Sequence, residues 1–341
     1  MAWDQRDCPR GDNFQEGTTG TVPLATRKED RHMERGMNKI VIVKSRTRLE
    51  DLIRRYNTIE QAEFYIEHLG ADFTDYVEED MVYKEALKTV ARIAKENARV
   101  LEIDKEYIPN MIFGEEDIVI AVGRDGLVTN VMKYLNGQPL IGVNPDIERW
   151  EGDLLKFEPG DMERLLPRVV EGRYNEKKVT MAKAQMKDGQ VLYAVNDFFV
   201  GIRNHTSARY HICYNGLVEN QSSSGVIIST GFGMTGWHKS IMAEFRGMAK
   251  AFQMGDVPEV RMDWDCNRLT FQVREPYPSC YTGADLVYGS FTAGEELLFV
   301  SEMPEDGVVF SDGMLEDALD FNSGMELRIG IAKRSGNLVI S

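Results

Sequence analysis

The stretch Ile118–Asn130, Ile-Val-Ile-Ala-Val-Gly-Arg-Asp-Gly-Leu-Val-Thr-Asn, decides the fold. Its residues before Gly123 are all apolar, which is typical of a strand buried on both faces of a sheet. Leu127–Leu135 then repeats apolar residues at helical spacing. A buried strand that runs through a glycine turn into a helix can bind phosphate, because backbone N–H groups and the helix dipole meet at the turn. The stretch therefore predicts an α/β domain with a parallel sheet and an anion site.

An acidic side chain, Asp125, stands inside this turn. A carboxylate there would repel phosphate, so simple phosphate binding does not explain it. It could instead take a proton from a hydroxyl group that attacks the phosphate. Asp-Gly pairs after strands are also common as plain turns, and the residues alone leave both interpretations open.

The rest of the chain predicts two domains after a polar extension. Residues 1–36 have no periodicity and are expected to be disordered. Alternating strands and helices over 37–170 predict an α/β domain, short strands over 171–320 predict a mainly antiparallel β domain, and residues 321–341 predict final strands. The helices are expected at Arg48–Tyr56, Ile59–Leu69, Glu78–Asn97 and Lys239–Phe252.

Charge and cysteine spacing exclude several classes of protein. The net charge of −15 argues against nucleic-acid partners and against anionic membrane surfaces. No apolar run is long enough to span a membrane, and the N-terminus lacks the apolar core of a signal peptide. The four cysteines lie far apart and the five histidines are scattered, which predicts reduced thiols, no side-chain metal site and a cytoplasmic location.

A second glycine-rich segment, Gly231-Phe-Gly-Met-Thr-Gly236, matches the pattern of a dinucleotide-binding loop. A helix follows it, and a strand at Val260–Met262 would place Asp263 against a ribose. The neighbouring segments predict antiparallel strands, among which a parallel Rossmann unit is awkward. Both interpretations of the loop stay open at this point.

Two further polar groups follow predicted strands. Asn196-Asp197 comes directly after Leu192–Val195, and an adjacent amide and carboxylate can donate to and accept from ribose hydroxyls. The same pair could form an Asx turn instead. Asp312 follows the strand Val308–Ser311 in a similar way, and His238 is a candidate for the wall of a ligand site.

Taken in order, these pieces resemble the NAD kinase family. The matching segments are Gly123–Gly126, Gly142–Asn144, Asn196-Asp197, Ser229–Ser240 and Ser311–Gly313. The resemblance covers Asn38–Ser341 and implies an α/β domain, a β-rich domain and last strands that return to the first domain. It also implies a homodimer or homotetramer, and it removes the Rossmann interpretation of Gly231–Gly236.

The resemblance also implies roles for individual residues. Asp125 would be the general base for the 2′-hydroxyl of the adenosine ribose, with Mg²⁺ accompanying ATP or another phosphate donor. Phosphate would lie against Gly123, Arg124, Gly126 and Asn144. Asn196 and Asp197 would bind ribose hydroxyls or the nicotinamide end, and Asp312 would position the substrate. The adenine pocket would be formed by Thr235, Gly236, Trp237 and Ser240.

The chain departs from the family pattern at several positions. Arg124 replaces a glycine, and its guanidinium could either clamp a phosphate or block the approach of the phosphate to the backbone. Gly236-Trp237 replaces Ala-Tyr, and Gly231 and Met234 replace a proline and a small polar residue. Two alternatives to an NAD kinase therefore remain. One is a superfamily kinase for a lipid or another small hydroxyl compound, and the other is a nucleotide-binding regulator without activity.

Overall fold

The computed structural model describes residues 39–341, so the extension predicted over residues 1–36 lies outside the described residues. The chain divides into two compact units. The first comprises the described residues through Lys178 together with Gly336–Ser341, and the second comprises Val179–Ser335.

The first unit alternates strands and helices in the order expected of an α/β domain. Its elements are β1 (Lys39–Lys44), α1 (Arg48–Tyr56), α2 (Ile59–His68), α3 (Thr74–Asn97), β2 (Arg99–Asp104), β3 (Ile118–Val122), α4 (Asp125–Met132), β4 (Pro139–Val143) and α5 (Met162–Val170).

The sheet of the first unit is parallel, with the strand order β2-β1-β3-β4. All residues of β3 are buried, which explains its unbroken apolar sequence. The chain leaves β1 toward one neighbour, β2, and later leaves β3 in the opposite direction toward β4. The carboxyl ends of β1 and β3 therefore flank the point at which the strand order reverses, where open α/β sheets bind their ligands.

The second unit is built almost entirely from strands, with one long helix. Its elements are β5 (Asn175–Met186), β6 (Val191–Ala194), β7 (Asp197–Ile202), β8 (Ala208–Tyr214), β9 (Leu217–Ser223), β10 (Val226–Ser229), α6 (Trp237–Ala251), β11 (Arg268–Val273), β12 (Tyr288–Thr292), β13 (Leu297–Ser301), β14 (Gly307–Ser311), β15 (Met314–Asp320) and β16 (Glu326–Ile340).

These strands form antiparallel ladders. One sheet has the order β12-β11-β10-β7-β14-β15, and the other pairs β16 with β13, β13 with β8, and β8 with β9. Phe198, Phe271 and Phe299 are buried in one core to which both sheets contribute. The last residues of β16 belong to the first unit, where Leu338 pairs in parallel with Leu140 of β4.

The predicted fold class, a parallel α/β region followed by an antiparallel β region, is confirmed. The predicted strand at Val260–Met262 is wrong, because this segment has no regular secondary structure. Cys266 and Cys280 are free thiols. Among residues 39–341, no helix combines the length and the apolar character needed to cross a membrane.

Candidate functional site

A cleft of about 310 Å³ opens at the carboxyl ends of β1, β3 and β4 in the first unit. The segment after β1 contributes Ser45–Arg48, the turn after β3 contributes Gly123 and Arg124, and the loop after β4 contributes Trp150. Thr47 caps α1 in a reciprocal pair with Glu50, which fixes the start of that helix at the cleft. The glycine turn predicted to bind phosphate thus lies in a cavity at the switch point of the sheet.

Asp125 is the first residue of α4, and its carboxylate contacts the loop after β4. Its two oxygens accept hydrogen bonds from the backbone N–H groups of Asp153 (2.9 Å) and Leu154 (3.0 Å). A Cβ atom at Gly152 would lie only 2.7 Å from Asp125 Oδ1, so glycine is needed for this close approach. A carboxylate has about four lone-pair positions, and Asp125 therefore keeps capacity to accept a proton.

Arg124 lines the cleft with its guanidinium held between two partners. The guanidinium carbon lies 3.5 Å from the ring centroid of Trp150. Its Nη2 atom lies 3.5 Å from a carboxylate oxygen of the buried Glu79. The side chain remains 53% exposed, so it can still donate hydrogen bonds to a ligand in the cleft.

The cleft is lined by both basic and acidic side chains, and the acidic ones are Asp51, Glu79 and Asp146. Arg46, Arg48 and Lys105 line it together with Arg124. Arg46 pairs with Asp51 at 2.9 Å, and the hydrogen bond to this carboxylate raises the pKa of Arg46. These basic side chains are the groups that an anion could contact in the cleft of a chain with a net charge of −15.

An unpaired polar atom of Asn130 favours the binding of a polar ligand in the same cleft. The residue is 6% exposed and lies on α4, and its Oδ1 atom is buried without a hydrogen-bond partner among the described residues. Leaving a buried polar atom unpaired costs about 1–3 kcal/mol. A ligand that donates a hydrogen bond here would remove this cost.

Asn144 follows β4, but its side chain is already engaged. Its Nδ2 group donates to the carbonyl of Trp150 at 2.8 Å, and its Oδ1 atom accepts from the N–H of Asp146 at 3.0 Å. Asn144 therefore holds the loop that carries Trp150, while its direct contact with phosphate stays a prediction.

In the second unit, Asp312 and the pair Asn196-Asp197 come together. Asp312 lies in the turn between β14 and β15, with a positive φ of 53°. Its carboxylate accepts hydrogen bonds from the backbone N–H groups of Val195 (3.0 Å) and Asn196 (2.6 Å). Asp312 thereby fixes the short connection between β6 and β7, from which the Asn196 and Asp197 side chains extend.

Asp197 is a buried carboxylate with an altered titration. Burial raises its pKa to about 7, and the negative charge of Asp312 adds to this effect. At neutral pH the group therefore exists in comparable amounts as acid and as carboxylate. It can donate or accept a hydrogen bond toward a hydroxyl group of a ligand.

The glycine-rich loop after β10 packs against the same connection. The Thr230 hydroxyl donates to the carbonyl of Val195 at 2.5 Å. A Cβ atom at Gly233 would lie 2.1 Å from the carbonyl oxygen of Asn196. Because β10 pairs in antiparallel fashion with both β7 and β11, the Rossmann alternative is wrong for Gly231–Gly236 and Asp263.

Trp237 begins α6 and belongs to an aromatic cluster. Its ring stacks on Phe199 with centroids 5.8 Å apart and on Phe310 at 6.5 Å, and the Arg274 guanidinium lies 5.5 Å from its centroid. Thr235, Gly236 and Ser240 are exposed nearby in sequence. Contact of these residues with adenine stays a prediction.

The known proteins to which this chain is similar are NAD and NADH kinases. No protein-family model matches the chain. The chain is 30% identical over 151 residues to an NAD kinase from Legionella pneumophila, a match that covers 42% of this chain and 50% of that protein. It is 29% identical over 130 residues to a bifunctional NADP phosphatase/NAD kinase from Methanocaldococcus jannaschii, which covers 36% of this chain and 22% of that protein.

Among solved structures, yeast NADH kinase in complex with NADH aligns over 90% of this chain and 84% of its own. The TM-score is 0.53 at 13% sequence identity, which shows a shared fold. The resemblance to the NAD kinase family is confirmed. The chain spans about half the length of the Legionella NAD kinase that it matches.

Several residues of the cleft were not predicted by the resemblance to NAD kinases. Arg46 and Arg48 directly follow β1, and the rule that ligands bind at the carboxyl ends of parallel strands could have found them. Trp150 and Glu79 give no such signal, because each reaches Arg124 from a segment distant in sequence.

Proposed function

We propose that this protein is a NAD kinase-like phosphotransferase that moves a phosphoryl group from ATP to the 2′-hydroxyl of the adenosine ribose of NAD, giving NADP. The observation that carries the proposal is the cleft at the switch point of the sheet, where the glycine turn and four basic side chains line the wall and Asp125 stands beside them at the start of α4. The NAD kinase relatives supply the choice of acceptor.

The cleft suits the phosphate donor. Backbone N–H groups of the Gly123–Gly126 turn, the α4 dipole and the Arg124 guanidinium all favour negative charge. Stacking on Trp150 and pairing with Glu79 give Arg124 a defined position along the cleft wall, which supports a role in binding phosphate. We therefore assign it to the donor phosphates.

Asp125 acts as the general base. Its carboxylate takes the proton of the 2′-hydroxyl while a bond forms between that oxygen and the γ-phosphorus, and the bond from this phosphorus to the β-phosphate oxygen breaks to release ADP. The hydrogen bonds from Asp153 and Leu154 hold the carboxylate in one orientation.

Asn196 and Asp197 bind the acceptor. An amide and a group that is half protonated near neutral pH can pair with vicinal hydroxyls in both donor and acceptor roles. Asp312 acts as a positioning residue for Asn196 and Asp197. Its carboxylate accepts hydrogen bonds from the backbone N–H groups that precede and include Asn196, and it thereby holds this connection in place.

Mg²⁺ fits this arrangement as a companion of the donor. Among the described residues, no three His, Cys, Asp or Glu side chains lie together so as to hold a metal ion. Mg²⁺ in kinases is held mainly by phosphate oxygens and water with one or two carboxylates. When bound, it would neutralise charge on the transferred phosphoryl group.

The test is NADP formation from ATP, Mg²⁺ and NAD. Asp125→Asn is expected to lower kcat by roughly a hundredfold or more, the usual range for loss of a general base. Asp153→Asn is the matched control, since it makes the same chemical change at an exposed neighbouring residue. Equal rates for the two variants would contradict the assignment of Asp125.

The comparisons do not favour the lipid-kinase or the inactive-regulator alternative. From the resemblance we further propose a homodimer or homotetramer in the cytoplasm. Analytical ultracentrifugation and cell fractionation test these two expectations separately from the activity.

A further inference from the structure

Asn130 lies at the buried end of the cleft in the first unit, on the helix that begins at the glycine turn. It follows Gly126 by four residues on α4, a spacing that places both residues on one face of the helix, and both line the cleft. Gly126 is exposed, whereas Asn130 is 6% exposed. The donor phosphates are assigned above to the turn at Gly126, and that assignment leaves Asn130 without a role.

The approach to Asn130 is open because Gly126 has no side chain. A Cβ atom placed at Gly126 would have no side chain and no neighbouring segment within 4 Å. Gly126 does not adopt a positive φ either, so the backbone conformation does not call for glycine. The missing side chain therefore leaves room for a ligand one helical turn away from Asn130.

The chemistry of Asn130 favours a hydroxyl group as its partner. The Oδ1 atom is buried and finds no hydrogen-bond partner among residues 39–341. As a carbonyl oxygen it accepts hydrogen bonds, so the ligand must donate one, which an ionised phosphate oxygen cannot do. A hydroxyl group can donate to Oδ1 and can also accept from the amide Nδ2, so it pairs with the side chain in either orientation.

The charged side chains of the cleft also favour a neutral group beside Asn130. Arg46 pairs with Asp51 at 2.9 Å, and Arg48 pairs with Asp75 at 2.7 Å, so these guanidinium groups are directed to carboxylates. Asp51 itself lines the cleft. A neutral hydroxyl group meets no repulsion from this carboxylate, whereas a further anionic group would.

The distance from the phosphate turn to Asn130 suits the sugar of a nucleotide. Four residues of an α-helix span about 6 Å along its axis, at about 1.5 Å per residue. In a nucleoside triphosphate the sugar is joined directly to the phosphate chain, so its hydroxyl groups are the first donors beyond the phosphates. The cleft volume of about 310 Å³ lies at the lower end of the range for small-molecule sites, which suits phosphates and a sugar with the base outside.

We propose that Asn130 binds a ribose hydroxyl of the phosphate donor and makes the cleft selective for ribonucleoside triphosphates. The inference rests on the proposed function in one respect, which is the placement of the donor phosphates at the Gly123–Gly126 turn. An analogue that lacks this hydroxyl leaves Oδ1 of Asn130 buried and unpaired in the complex, and it binds more weakly for that reason. Asn130 is thus a specificity-determining residue for the donor.

The experiment is isothermal titration of the full chain, with Mg²⁺ and without NAD, using ATP, 2′-deoxy-ATP and 3′-deoxy-ATP. At least one deoxy analogue is expected to bind wild type about tenfold more weakly than ATP, as for a buried polar group left unpaired. In Asn130→Leu, which removes both polar atoms at a similar side-chain size, this ratio should fall to about one.

Thr129→Val is the matched control. It removes a buried hydroxyl from the same helix, one that donates to the carbonyl of Gly126 at 3.1 Å and does not line the cleft. This variant should keep the wild-type ratio between ATP and the deoxy analogue. A ratio that falls alike in Thr129→Val and Asn130→Leu would overturn the proposal, because the effect would then come from a general disturbance of α4.

Tripolyphosphate, which has no sugar, tests whether Asn130 contacts phosphate instead. It is expected to bind wild type and Asn130→Leu equally, which would also show that the cleft of the variant is folded. Weaker binding of tripolyphosphate to Asn130→Leu would overturn the proposal. Equal binding of ATP and both deoxy analogues to wild type would overturn it as well, and so would a ratio that is unchanged in Asn130→Leu.

The titrations require no turnover, so they separate this inference from the proposed function. ATP binding that is weakened by Arg124→Gln, together with a ratio that is unchanged in Asn130→Leu, would retain the donor site and reject the role of Asn130. ATP binding that is unaffected by Arg124→Gln would place the donor phosphates outside the cleft and overturn both. Asp125→Asn, which should stop NADP formation, is expected to keep the wild-type ratio.

Discussion

Replacing Asp197 with asparagine should stabilise the folded protein at alkaline pH while impairing acceptor binding. Asp197 is 6% exposed, and burial together with the charge of Asp312 raises its pKa from 3.8 to about 7. The unfolded chain ionises near the ordinary value. Between these two pH values the folded state holds a proton that the unfolded state has released, so wild-type stability falls as pH rises.

The size of this effect follows from the two pKa values. The interval from 3.8 to about 7 corresponds to about 4 kcal/mol at about 1.4 kcal/mol per pH unit. Asparagine does not titrate. The difference in unfolding free energy between Asp197→Asn and wild type should therefore grow by about 1.4 kcal/mol per pH unit from about pH 4, and level off above about pH 7.

The assay is urea unfolding of both proteins at pH 5, 6, 7 and 8, with the difference in unfolding free energy plotted against pH. Only the slope is diagnostic, because any change in packing adds a constant offset. A flat plot would refute the reasoning, since it would mean that Asp197 titrates alike in the folded and unfolded states. NADP formation by the same variant should show a raised KM for NAD.

Three further changes test the geometry of the first unit. Gly152→Ala puts a Cβ atom 2.7 Å from Asp125 Oδ1, so the carboxylate must shift, and kcat should fall about a hundredfold while thermal denaturation still shows a folded protein. Arg124→Gln should raise the KM for ATP by roughly tenfold to a hundredfold, measured with NAD saturating, whereas an unchanged KM would place the donor phosphates elsewhere. Tyr83→Phe removes a buried hydroxyl that accepts from the N–H of Ser45 at 2.9 Å and donates to a backbone carbonyl. It should lower the unfolding free energy by about 1–3 kcal/mol, and no change in urea unfolding would mean that these groups find other partners.

The parts of the fold that the sequence predicts well are those with an unambiguous apolar pattern. β3 and β4 are buried along almost their whole length, and α1 and α6 have helical spacing and begin or end within about two residues of the predicted positions. Their physical signal is local, since it requires only that one face or both faces of an element be covered.

The strands that the sequence did not predict are mostly edge strands. β2, β9, β12 and β15 each lie at the end of a strand order. An edge strand carries exposed and polar residues, as in Leu217–Ser223, so it has no apolar run to detect. β7 was missed for another reason. The polar pair Asn196-Asp197 predicts the end of a strand, whereas in the structure β6 ends just before this pair and β7 begins within it.

The residues of the candidate site divide in the same way, into those with a local signal in the sequence and those without one. Asp125, Asn196 and Asp312 could be named as candidates from the sequence because each lies within three residues after the end of a strand. The contact of Arg124 with Trp150 and Glu79 depends on loops and tertiary packing that leave no periodic trace in the sequence.

The most direct test of the central claim is transfer of the γ-phosphoryl group of labelled ATP to NAD, with the position of the product phosphate determined by ³¹P NMR. The account predicts label on the adenosine 2′-oxygen with wild type. It predicts none with Asp125→Asn, although this variant should still be stabilised against heat by NAD. Label at another hydroxyl, or transfer that is unchanged in Asp125→Asn, would contradict it.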